Sequence, residues 1–219
     1  GDMDWLQKAY DIIGRSLEAD FVVVYNPQTG LFRGESSFID WREQSYPVWA
    51  QPADIYMSEC LGTNAAYYGV LKVMEDMATV LGKKKDVKKY GQKAEALKKA
   101  INDNFWVEED GYYASYLYGR QNLTRTQQSE TLGESFCVLF GIADEERAAK
   151  VISSMPVGEF GPPIFSPQIV SQPDYHNNGV WPYVTSFWGK AAAKVGNETA
   201  LMHALACNVR TASLYATNY

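Results

Sequence analysis

Apolar residues recur along most of the chain at the three- and four-residue spacing that gathers them on one face of an α-helix. Val70, Met74, Met77 and Leu81 form such a stripe on a segment spanning about 59–81, and Gly82 supplies a stop. Val87, Tyr90, Ala94, Leu97, Ile101 and Phe105 form the next, with Lys83-Lys84-Lys85 and Asp86 between the two as a turn and helix cap. Lys88, Lys89, Lys93, Lys98 and Lys99 fall mostly off this stripe and read as a solvated outer face rather than a nucleic-acid patch. Further helices are predicted over 5–24, 130–140, 144–155, 183–195 and 198–217, with Asp144 and Asn197 as N-caps.

The connections alternate in character. Some are short, such as 141–143 and Gly196-Asn197, whereas 26–58 and 157–182 are long and rich in proline, glycine and aromatic residues. Helix pairs with tight turns at one end and elaborate loops at the other carry their functional residues at the loop end. Two loop fragments predict β-hairpins, Pro27-Gln28-Thr29-Gly30-Leu31-Phe32 and Glu109-Asp110-Gly111-Tyr112-Tyr113. They recur loosely, without the fixed period of a solenoid. The reading is one all-α domain over 1–219, with short β-hairpins in its loops.

Composition narrows the function classes. With 46% apolar and 21% charged residues over 219 positions, a packed core is expected. A net charge of −6 argues against a phosphate-backbone partner, and no apolar run is long enough to span a bilayer. The N-terminus lacks the basic, apolar and small-residue series of a signal peptide, which leaves the compartment open; periplasmic and secreted settings both suit a glycan-degrading protein. Cys60, Cys137 and Cys207 are scattered in apolar helical contexts and read as small core residues. With two histidines in the chain, a His-rich metal centre is not expected, and neither is a cofactor. A Gly-x-Ser-x-Gly elbow, a phosphate-cradling glycine loop and a His-Glu-x-x-His helix are all missing from the sequence. Six tryptophans and fifteen tyrosines supply rings with a polar handle, suited to sugar faces or to a tyrosine-rich core.

Three segments hold the candidate chemistry. In Phe32-Arg33-Gly34-Glu35-Ser36-Ser37-Phe38-Ile39-Asp40-Trp41-Arg42-Glu43-Gln44, charges are interleaved with rings that a solvated loop does not need. Partial burial between Ile39 and Trp41 would raise the pKa of Asp40, as a general acid requires; alternatively Asp40 braces the loop against Arg33 or Arg42. In Tyr175-His176-Asn177-Asn178-Gly179-Val180-Trp181-Pro182-Tyr183, amide, imidazole and indole groups are framed by a glycine and a proline, fit for hydroxyl recognition or for a tight turn into a helix. In the third, Ser58 reads as an N-cap, Glu59 as a charge favouring the helix dipole, and Asn64 as a ligand-facing amide. Glu130 and Glu134 share a helix face and read as an outer charged face rather than as a paired-carboxylate site.

Taken together, these segments resemble the six-hairpin glycosidase superfamily, whose fold is an (α/α)6 toroid of helical hairpins. The resemblance looks closest to family 63-type enzymes (mannosylglycerate hydrolase and processing α-glucosidase) and to trehalases. It rests on Gly30-Leu31-Phe32 leading into Glu35-Ser36-Ser37-Phe38-Ile39-Asp40-Trp41, on Tyr175-His176-Asn177-Asn178-Gly179-Val180-Trp181-Pro182, and on Phe105-Trp106 followed by Asp110-Gly111-Tyr112-Tyr113. It implies an inverting, two-carboxylate hydrolase of an O-glycosidic bond, α-linked, in an oligosaccharide. Asp40 takes the acid role; Trp41 and Trp181 shape the sugar subsite; Arg42, Asn64, His176 and Asn177, with Glu35, bind substrate. Trehalases carry a Glu-Ser-Gly-aromatic-Asp run, and this chain has one residue more, so Glu35 and Glu43 stay open as alternative acids. A full toroid usually occupies well over 219 residues. The chain is therefore expected to be part of one, with the base outside it and another segment or chain completing the ring. The alternatives are a non-catalytic carbohydrate-binding or assembly module on the same fold, and a sugar isomerase or uronide-cleaving enzyme.

Overall fold

A computed structural model describes residues 1–35, 46–170 and 172–214. Asp40, Trp41, Arg42 and Glu43 lie outside the described residues. The helices are α1 (Met3–Val23), α2 (Pro52–Met57), α3 (Leu61–Val80), α4 (Lys84–Phe105), α5 (Thr131–Leu139), α6 (Glu145–Ser154), α7 (Pro182–Lys194) and α8 (Glu198–Leu214). Short strands punctuate them: β1 (Tyr25–Asn26), β2 (Leu31–Phe32), β3 (Glu59–Cys60), β4 (Trp106–Val107), β5 (Tyr112–Tyr113), β6 (Tyr116–Tyr118), β7 (Thr124–Arg125), β8 (Ser129–Glu130) and β9 (Phe165–Ser166).

The predicted stripes are the packed faces. Met74 and Met77 of α3 and Tyr90, Ala94, Leu97, Ile101 and Phe105 of α4 are all buried in one continuous core. Helix α3 packs on α5 and α5 on α7, forming an inner row; α1 and α4 lie against α3, α6 against α5 and α7, and α8 against α7. The arrangement is that of a helical-toroid segment. Helix ends follow local chemistry. Asp144 Oδ1 accepts from the Arg147 N–H at 2.9 Å and Asn197 Oδ1 from the Ala200 N–H at 3.0 Å, both as expected of N-caps. Gly82, at φ +70°, closes α3 while the Lys83 N–H returns to the Ala78 carbonyl at 2.8 Å. The lysines of α4 brace rather than form a patch: Lys89 pairs with Glu18 at 3.0 Å, Lys93 sits over the Phe21 ring, and Lys98 donates to the Gly141 carbonyl at 2.7 Å.

Two expectations change. Helix α2 is too short to show a hydrophobic stripe, and polar capping sets it: the Gln51 N–H donates to Asp54 Oδ2 at 3.0 Å, with Pro52 entering the first turn. Ser58 is not an N-cap; its hydroxyl turns back to the Ile55 carbonyl at 2.6 Å, and Glu59–Cys60 pair with Leu117–Tyr116 before α3 begins.

The two hairpins are copies of one unit. Gly30 donates to the Asn26 carbonyl at 2.8 Å, and Gly111 to the Val107 carbonyl at 2.9 Å. Arg33 closes on Val24 at 2.9 Å, and Ala114 on Phe105 at 2.8 Å. Each is followed by Ser-Glu-x-Leu-Gly at the start of an inner helix, at 58–62 and again at 129–133. The link from Phe32 to Ser58 is ten residues longer than the link from Tyr113 to Ser129, and the longer one carries Asp40.

Gly30 and Gly111 hold φ +76° and +71°, where a side chain is disfavoured. A Cβ at Gly30 would also lie 3.2 Å from Ala100 Cβ, whereas one at Gly111 would meet Lys150 at an ordinary 3.6 Å. Gly111→Ala is therefore expected to cost about 1 kcal/mol from backbone strain and Gly30→Ala measurably more. Urea unfolding of the two variants checks the order; equal losses would mean that the Ala100 contact relaxes freely.

Candidate active site

Each hairpin is stitched to the first turns of the next inner helix. The Phe32 N–H donates to Asn64 Oδ1 at 2.7 Å, and the Asn64 amide donates to the carbonyls of Phe32 and Cys60 at 3.0 and 2.9 Å. In the second unit the Tyr113 N–H donates to Glu134 Oε1 at 2.8 Å. Both N–H groups of Asn64 and its carbonyl are thus engaged with backbone, and the residue is fully buried.

Past β2 the chain is pinned over the N-terminus of α3. The Gly34 N–H donates to the Ser58 carbonyl at 2.8 Å, and the Thr63 hydroxyl donates to the Glu35 carbonyl at 3.1 Å. Glu35 is the last described residue before the Asp40 segment. The far end of that segment emerges at Tyr46, which is buried with its ring edge-on to Tyr116 at 5.4 Å. The Tyr46 carbonyl accepts from Gln172 Nε2 at 2.8 Å. Gln172 belongs to the loop that carries His176, so Tyr46, although far away along the chain, is held against that loop.

Within the second loop, Asn177 is an internal brace. Its Oδ1 accepts from the Ile169 N–H at 2.6 Å, and its Nδ2 donates to the carbonyls of Ile169 and Gln172 at 2.9 and 3.0 Å. His176 is buried, with its ring edge-on to Trp181 at 5.0 Å and tilted against Tyr175 at 4.8 Å. Trp181 is half-buried and leads directly into α7. Tyr175 holds φ +136°, a conformation that non-glycine residues rarely adopt and that is often retained at binding sites. The structure therefore brings Glu35, His176 and Trp181 to the same end of the bundle, while the amides of Asn64 and Asn177 are turned into the backbone.

The sequence reading of Glu130 and Glu134 as an outer face is overturned. Both are 1% exposed, because the N-termini of α3 and α5 abut there: a Cβ on Gly133 would fall 2.9 Å from the Gly62 nitrogen. The Glu130 carboxylate faces the backbone N–H groups of Gly62 and Gly133, which draw its pKa down, but among the described residues neither oxygen completes a hydrogen bond. Burial dominates and holds the group at about 7. Burial likewise lifts Glu134 to about 8, against its bond from Tyr113 and helped by the charge of Glu130. Glu59, fully buried, is raised by desolvation too; Asn26 and Thr29 donate to its Oε1 at 2.7 and 2.9 Å and pull it partly back. So Glu59 secures the first hairpin rather than a helix dipole. The repeated Ser-Glu-x-Leu-Gly was the signal that could have flagged Glu59 and Glu130 as interior, since a solvated face has no reason to repeat. Cys60, Cys137 and Cys207 are free and buried, with burial pushing the Cys60 thiol up to about 12. Among the described residues no group of three potential ligands is arranged for a metal ion, and no helix is long and apolar enough to cross a membrane.

The helices and hairpin units are those of a segment of an (α/α)6 helical toroid. Residues 1–157 match the family model of the bacterial α-L-rhamnosidase six-hairpin glycosidase domain, and the chain belongs to that family. No curated protein matches the chain. Among solved structures, a family 78 rhamnosidase of Bacillus sp. GL1 is similar over 99% of this chain and 20% of its own, at 20% identity and a TM-score of 0.69. A rhamnosidase from Klebsiella oxytoca with rhamnose bound is similar over 91% of this chain and 34% of its own, at 14% identity and a TM-score of 0.56. The neutral trehalase of Saccharomyces cerevisiae is similar over 65% and 29%, at 14% identity and a TM-score of 0.56. At these identities the likeness is one of fold, and the chain spans a fifth to a third of each protein's length.

Because Glu130 and Glu134 have folded-state pKa values above the unfolded value of 4.5, the folded state holds their protons more tightly. Their contribution to stability is complete below about pH 4.5 and is lost as pH rises through 7 to 8. The melting temperature is expected to fall between pH 5 and 8, with a shallower fall in Glu130→Gln and Glu134→Gln. Parallel pH–melting curves for the three proteins would show that neither carboxyl is protonated on folding.

Proposed function

We propose that the chain forms part of the catalytic domain of a glycoside hydrolase that cleaves an α-linked glycoside by inversion, with α-L-rhamnosides the first substrates to test. The carrying observation is how the described residues on either side of the Asp40 segment are held: Glu35 over the N-terminus of α3, and Tyr46 by Gln172 of the His176 loop. In this reading Asp40 donates a proton to the leaving-group oxygen, and a base outside the chain activates water from the opposite face, roughly 6.5–9.5 Å from the acid. Trp41 and Trp181 wall the sugar subsite by ring stacking; Arg42, Glu35 and His176 meet its hydroxyls. Asn64 and Asn177 contribute by holding the two loops in place, given their backbone bonding.

In the same reading another segment or chain completes the ring. Met202, Leu205 and Val209 recur at helical spacing on the exposed face of α8, and Val22 and Val23 are exposed at the end of α1. Apolar edges of this kind suit burial against another segment or chain.

The test is sugar release from α-L-rhamnosides, α-glucosides, α-mannosides and trehalose by the longest natural form of the protein, beside its Asp40→Asn variant. The expected outcome is hydrolysis of one substrate class, at least 100-fold slower in the variant, roughly the scale of general acid catalysis, with substrate affinity largely kept. An equally active variant would remove Asp40 from the acid role. Saccharide binding without turnover across the panel would favour a binding module instead.

A further inference from the structure

A pocket of about 320 Å³ opens between the first hairpin and the 120–123 turn. Its walls include Asn26, Thr29, Arg33, Asn104, Arg120 and Asn122, and none of its lining residues is acidic. In a chain of net charge −6, that local balance is reversed: the ionised groups on the walls are two guanidinium ions. They are not equally committed. Arg120 spends its Nε on Asp54 Oδ1 at 2.6 Å. Arg33 makes no ion pair among the described residues, and its backbone is fixed by the N–H bond to Val24 that closes the hairpin. The buried carboxylate of Glu59 feels the Arg33 charge, and its Oε1 is taken up by Asn26 and Thr29. Those two bonds hold the wall amide and hydroxyl in set orientations. The volume is that of a small-ligand site, and a guanidinium fork matches a carboxylate in plane and spacing.

We propose that this pocket is an accessory subsite for the carboxylate-bearing residue of an acidic saccharide, a uronic acid, with Arg33 as the principal anchor and the exposed Asn122 amide facing its hydroxyls. The assignment of a saccharide rests on the glycosidase reading; that of an anion rests on the walls. The subsite would favour glycans in which the cleaved sugar neighbours a uronate.

The test is calorimetric titration of the full chain with methyl galacturonoside, its methyl ester and methyl galactoside. The acid should bind, and esterification should weaken binding about tenfold, the worth of one charge-assisted hydrogen bond. Arg33→Ala should cause a similar loss for the acid alone, and exposed Asn122→Asp, which places a like charge on the wall, should weaken the acid without disturbing the fold. Equal binding of acid and ester, or an acid affinity unchanged in both variants, overturns the subsite. Equally tight binding of galactose 6-sulfate overturns its assignment to carboxylates. Since binding needs no turnover, uronate binding with a silent hydrolysis panel would leave the pocket standing and remove the glycosidase reading. Hydrolysis without uronate binding would do the reverse.

Discussion

The rest of this fold depends on how a two-residue hairpin strand is tied to the start of the next inner helix. A helix N-terminus leaves backbone N–H groups unsatisfied, and a short hairpin leaves its outer edge unpaired. Here a side chain from the helix's first turns reaches across to the last hairpin residue. Asn64 meets both backbone groups of Phe32, and Glu134 accepts from Tyr113. The same junction sets where the candidate site lies, because the loops spring from it.

This junction also explains the buried acids. The N-termini of α3 and α5 come together at Gly62 and Gly133 with no room for a Cβ between them. Carboxyl groups that enter such a contact lose water, and the partial positive charge of two helix ends offsets only part of that loss. Glu130 and Glu134 thus hold their protons into the neutral range. They tie the stability of the loop end to pH.

Much was legible from residue order. The stripes at 70–81 and 87–105 became the packed faces of α3 and α4, because periodicity reports burial directly. Asp144 and Asn197 capped where expected, since capping needs a side chain and backbone only three residues away. The family resemblance rested on the Asp40 and His176 segments, and the chain does belong to the six-hairpin group, in its rhamnosidase branch. Less legible was the internal duplication: its two halves differ in link length, so a search for a fixed period passes over it.

What residue order settled was local: where helices run, where they stop, which loops are long, and which residue types are concentrated there. Tertiary structure decided the destinations of polar side chains. Asn64 and Asn177 have amides that suit a sugar in any linear reading, and only the folded chain turns them onto backbone partners. Glu130 and Glu134 share a helix face that looks solvated until a second helix end is laid against it. The physical reason is common to both: periodicity records how often a face is covered, whereas a polar group's role depends on which distant atoms cover it.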